Sequence, residues 1–316
     1  MFLWYECPMG LREEQRIAIR EVQQDQRMTK RPTVAALEEV LHEPFPVLDH
    51  GFVRVVDYMG DDMAVVQAAR VSYGRGTTRV RDDRGLIRYL MRHRHSTPFE
   101  MCEIKLHVKL PIFVARQWIR HRTASVNEYS ARYSVLDNEF YLPDPVQMGV
   151  QSTQNRQGRG DAISPEQAHE ILQLMREDAE RCYRHYGEFL NDPDMGHIAT
   201  DRSPLSRELA RMNLTLNFYT QWYWKVDLHN LFHFLSLRMD PHAQYEIRVY
   251  ADCIADLVRR WVPVCWEAFA DYRLHAAAFS GEEMRLLRDM LQGQLPSFAS
   301  STLSKREQEE FLKKIS

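Results

Sequence analysis

Residues 111–132 read PIFVARQWIRHRTASVNEYSAR and gather Arg116, Arg120, His121, Arg122 and Arg132 into one short segment. Glu128 is its single acid, so four arginines against one carboxylate leave a formal +3 in a chain whose net charge is -3. Positive charge concentrated in this way points to a pocket for anionic groups rather than to a generally basic surface.

Pro111 suits a helix start because its missing N–H costs nothing at the first position. The spacing then predicts a helix to about Arg122. Ile112, Ala115 and Ile119 fall on one stripe with Val114 and Trp118 beside it, while Arg116, Gln117 and Arg120 share the opposite side. Thr123 to Asn127 is small and polar, and in an extended segment beyond it Ser130 and Arg132 would point the same way. A basic helix end can also be a solvated face that complements the helix dipole. The neighbouring Gln117, Ser125, Asn127, Glu128 and Ser130 suit a phosphate joined to a polar ring, which charge complementarity alone does not require.

Upstream, Cys102 to Leu110 alternates, with Cys102, Ile104, Leu106, Val108 and Leu110 on one side and Glu103, Lys105, His107 and Lys109 on the other, as in a half-buried strand. Downstream, Glu139 to Leu142 is a second extended run. Phe52 to Val56 reads as a strand, and Asp61 to Tyr73 as a helix capped by Asp61 or Asp62. SYGRGTTRVRDD reads as a loop, Gly85 to His93 as a helix, and Thr97-Pro98 as a turn, because proline biases its predecessor away from helix. Helices and strands alternating without regular βαβ spacing indicate α+β, a mixed or antiparallel sheet flanked by long helices.

Residues 143–163 hold Gly149, Gly158 and Gly160 with Arg156 and Arg159 but match no phosphate-binding fingerprint, and read as a surface loop. Ser164-Pro165, with Gln167 following, opens a long amphipathic helix toward Leu190. Ser203-Pro204 starts another that carries Arg207, Glu208 and Arg211. After the aromatic run NLTLNFYTQWYWKV, Asp227 can cap a helix whose apolar stripe is Leu228, Leu231, Phe232 and Leu235, with Asn230, Phe234 and Arg238 on another line. His229 and His233 are four apart, yet the intervening NLF supplies no glutamate, so polar or cofactor contact fits better than zinc. His242 to Val262 is a further helix with a stripe at Tyr245, Val249, Cys253 and Leu257. The tail from Ala276 is charged and polar, broken at Gly281, Gly293 and Pro296, with a helical turn near Lys305 to Lys314.

A chain of 316 residues, 44% hydrophobic, buries a substantial core. Its near-neutral pI of 6.5 argues against a general nucleic-acid binder. Cys7, Cys102, Cys182, Cys253 and Cys265 are widely spaced and odd in number, as expected of free thiols in a reducing cytoplasm. The start, MFLWYECPMG, is too short for a secretory segment and no later run is long enough for a membrane span, which predicts a soluble, cytoplasmic protein.

Arg120, His121 and Arg122, followed after seven residues by Ser130, resemble the signature of the flavin-dependent thymidylate synthases. The likeness runs from about Asp49 to Tyr272 and includes HSTPFE at 95–100, SRELAR at 206–211 and LRMDPHAQ at 237–244. It implies an N-terminal extension (1–48), a catalytic domain (49–272) and a C-terminal tail (273–316). The implied reaction converts dUMP to dTMP with methylenetetrahydrofolate as carbon donor and NADPH as reductant through bound FAD. For the nucleotide the resemblance implies Gln117, Trp118, Ile119, Arg120, Glu128, Tyr129, Ser130, Ala131, Arg132, Arg211 and Arg238. Arg238 is also the implied catalytic group, favouring ionisation of uracil N3. For FAD it implies Thr97, Arg120, His121, Arg122, Glu128, Asp227, Leu228, His229 and His233, although the family often has asparagine at the positions of Asp227 and His233 and arginine at that of His229. It further implies a homotetramer with sites shared between subunits.

Ser130 has no adjacent histidine and acid to activate it, so a binding role fits. Two other readings stand beside this one. One is a non-enzymatic nucleotide or RNA binder whose arginines read phosphate and whose aromatic rings stack on bases. The other is a relative that acts on a different pyrimidine nucleotide or leaves a hydroxymethyl group.

Overall fold

Five antiparallel strands make the sheet on which the arginine-rich segment is mounted. A computed structural model describes residues 13–71, 83–153, 158–196, 199–294 and 298–316. The strands are β1 (Phe45–Val47), β2 (Gly51–Met59), β3 (Glu103–Pro111), β4 (Ser125–Glu128), β5 (Gly149–Gln151), β6 (Arg159–Ala162) and β7 (Tyr219–Asp227). Their order is β1-β2-β3-β7-β4, and β5 and β6 form a separate hairpin. The α+β expectation holds, with every pairing antiparallel.

The alternation of β3 sets the two faces. Ile104, Leu106 and Val108 pair with Val226, Trp224 and Trp222, and all six are buried. The opposite face carries Arg54, Lys105, His107, Gln221, Tyr223 and Lys225. There the Nε of Arg54 donates to Nδ1 of His107 at 3.0 Å, and Nε2 of the same ring lies 3.0 Å from Oε1 of Gln221. Burial, aided by the Arg54 charge, lowers the His107 pKa to about 4.

The helices are α1 (Glu13–Gln24), α2 (Ala35–Glu38), α3 (Asp62–Val71), α4 (Asp83–Arg92), α5 (Thr97–Glu100), α6 (Ile112–Trp118), α7 (Pro165–Leu190), α8 (Arg207–Ala210), α9 (Leu228–Arg238), α10 (Tyr245–Trp261), α11 (Pro263–Phe269), α12 (Gly281–Leu291) and α13 (Lys305–Ile315). α6, α9 and α10 cover the apolar face. Trp118 meets Trp222 and Trp224 edge-on at 5.7 and 5.2 Å, stacks on Phe234 at 4.6 Å and reaches Tyr250 at 6.0 Å. A tryptophan held this way contributes about 3–5 kcal/mol against alanine. The chain divides into two compact units between Trp266 and Glu267; the second, residues 267–316, contains α12 and α13, each opened by a Ser–Glu capping box.

Several elements differ from the sequence reading. α6 ends at Trp118, and its buried side is Val114, Ala115 and Trp118 while Ile119 is exposed. Burial in the tryptophan cluster outweighs the stripe expected through Ile112 and Ile119. Ser130 to Ser134 is a turn closed by hydrogen bonds from the Tyr133 and Ser134 N–H groups to the Ser130 carbonyl, so Ser130 and Arg132 do not alternate along a strand. Thr97 to Glu100 forms a single helical turn, with Pro98 tolerated because it sits at the helix start.

Gly149–Gln151 pairs with Arg159–Ala162 instead of looping freely, and helix α8 begins after Ser206 rather than at Ser203. In α10, Ile247, Tyr250, Ala251, Ile254 and Val258 form the buried stripe, beside the one expected. The expected loop at 72–83 lies, except for Asp83, outside the described residues, as do the first ten residues with Cys7, and Tyr73, Arg156 and Pro296.

Candidate functional site

The site begins where α6 stops. The Arg120 and His121 N–H groups bond to the carbonyls of Gln117 and Trp118 at 3.4 and 2.9 Å, closing a tight turn. With Trp118 locked in the core, that turn delivers Arg120, His121 and Arg122 beyond the helix end. From the other side comes α9, where the Asp227 carboxylate accepts from the Asn230 N–H at 2.9 Å. Leu231, Phe234 and Leu235 are buried, which turns Asn230, His233, Leu237 and Arg238 along a different line.

Between them lies a cleft of about 400 Å³, floored by Trp224 and Val226 and walled by these α9 residues and by Arg120 to Thr123. Among the described residues no carboxylate lines it. Nε of Arg238 donates to Nε2 of His121 at 3.0 Å. The His121 ring also meets Phe234 edge-on at 5.0 Å and lies 5.9 Å from His233. Burial, then the charges of Arg238 and His233, push the His121 pKa down to about 4, so the ring is neutral at pH 7. Burial also lowers the Arg238 pKa, yet a guanidinium stays protonated in proteins. Three cationic side chains therefore face one small volume, and a neutral imidazole holds one of them. The Trp224 indole N–H and the Gln117 side-chain carbonyl are buried without a partner among the described residues.

A second basic group lies at the far end of β4. Arg207 donates to the Tyr133 carbonyl at 2.7 Å and so ties the 130–134 turn to α8. Tyr186 senses the charges of both Arg207 and Arg211 there. Arg211 Nε donates to the Glu208 carbonyl at 3.3 Å, and the Arg132 guanidinium lies over the Tyr133 ring at 5.7 Å. Tyr129 joins this end through its N–H to the Gln221 carbonyl at 2.8 Å, and Glu128 accepts from the Thr220 hydroxyl at 2.8 Å. Four strand residues, roughly 13 Å at 3.3 Å each, separate the two groups.

The sequence-predicted residues thus fall into sets. The cleft brings Arg120, His121, Arg122, His233 and Arg238 together. Ser130, Arg132 and Arg211 belong to the other patch, with Glu128 and Tyr129 leading to it. Thr97 and His229 are exposed on α5 and α9, while Gln117 and Ile119 stay on α6 and its cap. The side chains of Trp118, Ala131 and Leu228 turn into the core, so only their backbone groups remain for a ligand. Thr123, Trp224, Val226 and Leu237 line the cleft without having been expected there. The period of two through Trp222, Trp224 and Val226 was the available signal. A larger cavity of about 780 Å³, lined by residues such as Phe113, Tyr141, Met175 and Leu216, contains none of the predicted site residues.

The Thymidylate synthase complementing protein family model matches residues 54–264. A flavin-dependent thymidylate synthase from Gluconobacter oxydans (strain 621H) is 61% identical over 299 residues, 95% of this chain and 96% of that protein. One from Rickettsia conorii (strain ATCC VR-613 / Malish 7) is 58% identical over 287 residues, 90% and 98% of the respective chains. The chain belongs to the flavin-dependent thymidylate synthase family.

A solved structure of similar shape, with TM-score 0.61 and 34% identity over 71% of this chain and 95% of the other, is a UMP/dUMP methylase, PolB, from Streptomyces cacaoi bound with 5-Br UMP. As a flavin-dependent thymidylate synthase by family, this chain is an enzyme whose cleft carries Arg120 and Arg122 on a turn set by Trp118. No described helix is long and apolar enough to cross a membrane. Cys102, Cys182, Cys253 and Cys265 are free thiols.

Proposed function

We propose that this enzyme methylates C5 of dUMP to give dTMP, with methylenetetrahydrofolate supplying the carbon, NADPH the electrons, and FAD as the bound carrier between them. The observation that carries the reading is the carboxylate-free cleft in which Arg120, Arg122 and Arg238 meet a neutral His121. Neither Arg120 nor Arg122 has a side-chain partner among the described residues, so both are free to take an anionic ligand.

FAD fits the donor set. Guanidinium forks match diphosphate oxygens, and the Trp224 floor offers an aromatic surface. Arg120, His121, Arg122 and His233 would hold it, with Asp227 and His229 at the start of α9 and Thr97 on α5. When bound, the flavin supplies two-electron transfer. The chain itself orients, excludes water and sets charge.

Arg238 is the group for the pyrimidine. A cation about 4 Å from uracil N3, at an effective dielectric near 20, favours its ionised form by roughly 4 kcal/mol before desolvation is subtracted, and the anion is the more nucleophilic at C5. Ser130, Arg132 and Arg211 suit the 5′-phosphate, each hydrogen bond to a charged group being worth about 1.5–3 kcal/mol. Base and phosphate groups at opposite ends of β4 support a homotetramer in which a neighbouring copy completes each site. Residues 49–272 form the catalytic domain in this reading, and a biosynthetic role with free thiols fits the cytoplasm.

The test is an anaerobic assay of purified protein with FAD, NADPH, methylenetetrahydrofolate and dUMP, following flavin absorbance and identifying the product. Flavin that is reduced, then reoxidised only with nucleotide and folate together, and dTMP as product, are the expected results. UMP belongs in parallel because the PolB relative is described as a UMP/dUMP methylase. Methylated UMP without dTMP would move the substrate; a protein that binds no flavin would sink the assignment.

A further inference from the structure

We propose that His121 is the positioning residue of Arg238: its Nε2 accepts the Arg238 Nε–H and fixes the guanidinium plane, leaving both terminal amino groups for the ligand. The inference rests on the reading above, in which Arg238 touches the pyrimidine, and it gives His121 a role distinct from contact with FAD.

The geometry is specific. The contact is 3.0 Å long and joins residues 117 apart in sequence. An arginine has no acceptor, so the bond requires an unprotonated Nε2 and places the ring proton on Nδ1. The ring cannot swing freely, because the His121 N–H is bound to the Trp118 carbonyl at 2.9 Å and its edge meets Phe234, which stacks on Trp118. Arg238 ends α9, where an arginine often caps the last carbonyls. Its one hydrogen-bond partner among the described residues is instead His121.

A carboxylate would hold an arginine equally well. It would also cancel the charge that Arg238 must present to the pyrimidine. A neutral imidazole orients the cation and leaves the charge intact. The neighbours enforce neutrality: Arg238 and His233 are the groups whose charge acts on His121, and no carboxylate lines the cleft among the described residues. His121 needs to be an uncharged acceptor, and its place between two arginines of the signature supplies that condition.

Three substitutions separate the requirements. His121→Gln keeps a neutral acceptor, His121→Phe keeps a ring against Phe234 without an acceptor, and His121→Glu keeps an acceptor but adds negative charge. The first readout is independent of turnover: nitrogen NMR of histidine-labelled protein, with the His121 signal assigned by its loss in His121→Gln. We expect an Nδ1–H tautomer that resists protonation from pH 8 to 5.5, and a rise of its pKa toward 6.5 in Arg238→Met. A ring protonated on Nε2, or one indifferent to Arg238→Met, overturns the proposal.

The second readout is kcat for nucleotide methylation at saturating substrates, with flavin content measured alongside. With kcat referred to bound flavin, His121→Gln should recover most of the rate that His121→Phe and His121→Glu lose, the latter two falling about 30-fold or more below the parent. Equal loss in Gln and Phe, or loss that follows flavin release, overturns the positioning role. If the parent protein methylates no pyrimidine nucleotide, the functional reading fails while the NMR result still decides whether His121 holds Arg238.

Discussion

Asp227 and Asn230 join the last residue of β7 to the wall of the cleft: the Asp227 carboxylate accepts from the Asn230 backbone N–H at 2.9 Å and from its side-chain amide at 2.7 Å. One side chain therefore caps α9 and orients a cleft residue. Asp227→Ala should cost about 1 kcal/mol, the usual worth of such a cap, and lower Tm by about 2–4 °C. Asp227→Asn retains an oxygen for the cap and should be near neutral. Thermal denaturation of the two variants checks the pair; equal loss in both would place the effect in the carboxylate charge rather than the cap.

Arg120 and Arg122 present to the cleft guanidinium groups that have no side-chain partner among the described residues. Arg120→Gln should weaken a phosphate-bearing ligand by about 1.5–3 kcal/mol, roughly 10- to 150-fold in Kd. The parent's affinity should also fall with added salt more steeply than the variant's, because a charge contact has been removed. Flavin and nucleotide titrations at two ionic strengths measure both effects. An Arg120→Gln protein with unchanged affinity for each would remove Arg120 from the binding set.

The sequence made some parts of this arrangement readable and hid others. β3 declared itself because Ile104, Leu106 and Val108 alternate with charged neighbours. Asp227 and Ser164 declared helix starts by local chemistry, and both caps form. β7 was partly obscured because Tyr219 and Tyr223 add aromatic rings to the run, so the period of two through Trp222, Trp224 and Val226 stands out only at its end. β4 was obscured because a short edge strand of Ser125 to Glu128 has no apolar alternation to detect. The meeting of His121 with Arg238 depends on how α6 and α9 pack around Trp118 and Phe234, and no local pattern encodes a contact over such a separation. The arginines were visible as chemistry; their division between two ends of β4 was a tertiary fact.

Gly51 opens β2 directly against Tyr250 of α10. A Cβ there would lie 2.0 Å from the Tyr250 hydroxyl, 2.6 Å from the Val47 carbonyl oxygen and 2.8 Å from that of Lys109. Two of these obstacles are backbone, which cannot turn aside as a side chain can. Gly51→Ala should cost about 3 kcal/mol or more, the upper end of overpacking penalties. Tyr250→Phe alone loses the 2.6 Å hydroxyl bond to the Lys109 carbonyl and should cost about 1 kcal/mol. Combining the two should recover part of the Gly51→Ala loss and no more, since the carbonyl clashes persist. Full recovery in chemical denaturation would mean that the hydroxyl alone excludes a side chain at position 51.

Glu246 and Arg159 give the fold a pH dependence that one substitution should reverse. The Glu246 side chain is 2% exposed and the Arg159 side chain 37%, and Arg159 donates to both carboxylate oxygens at 2.6 Å. Burial raises the Glu246 pKa, but the hydrogen bonds and charge of Arg159 outweigh it and hold the group below its ordinary 4.5. A carboxylate depressed in the fold binds fewer protons there than in the unfolded chain, so its stabilisation is complete above 4.5 and is lost as pH falls through the folded value. Arg159→Met leaves burial unopposed by that cation and should cost about 2–3 kcal/mol at pH 7, less than for a fully buried pair because the arginine is partly solvated. The Glu246 pKa then lies above 4.5, the folded variant binds more protons than its unfolded chain, and its deficit against the parent should shrink as pH falls from 7 toward 4.5. Tm measured across that range for both proteins tests the sign. Parallel curves would show that Arg159 acts by packing the β5–β6 hairpin and not by holding the Glu246 charge.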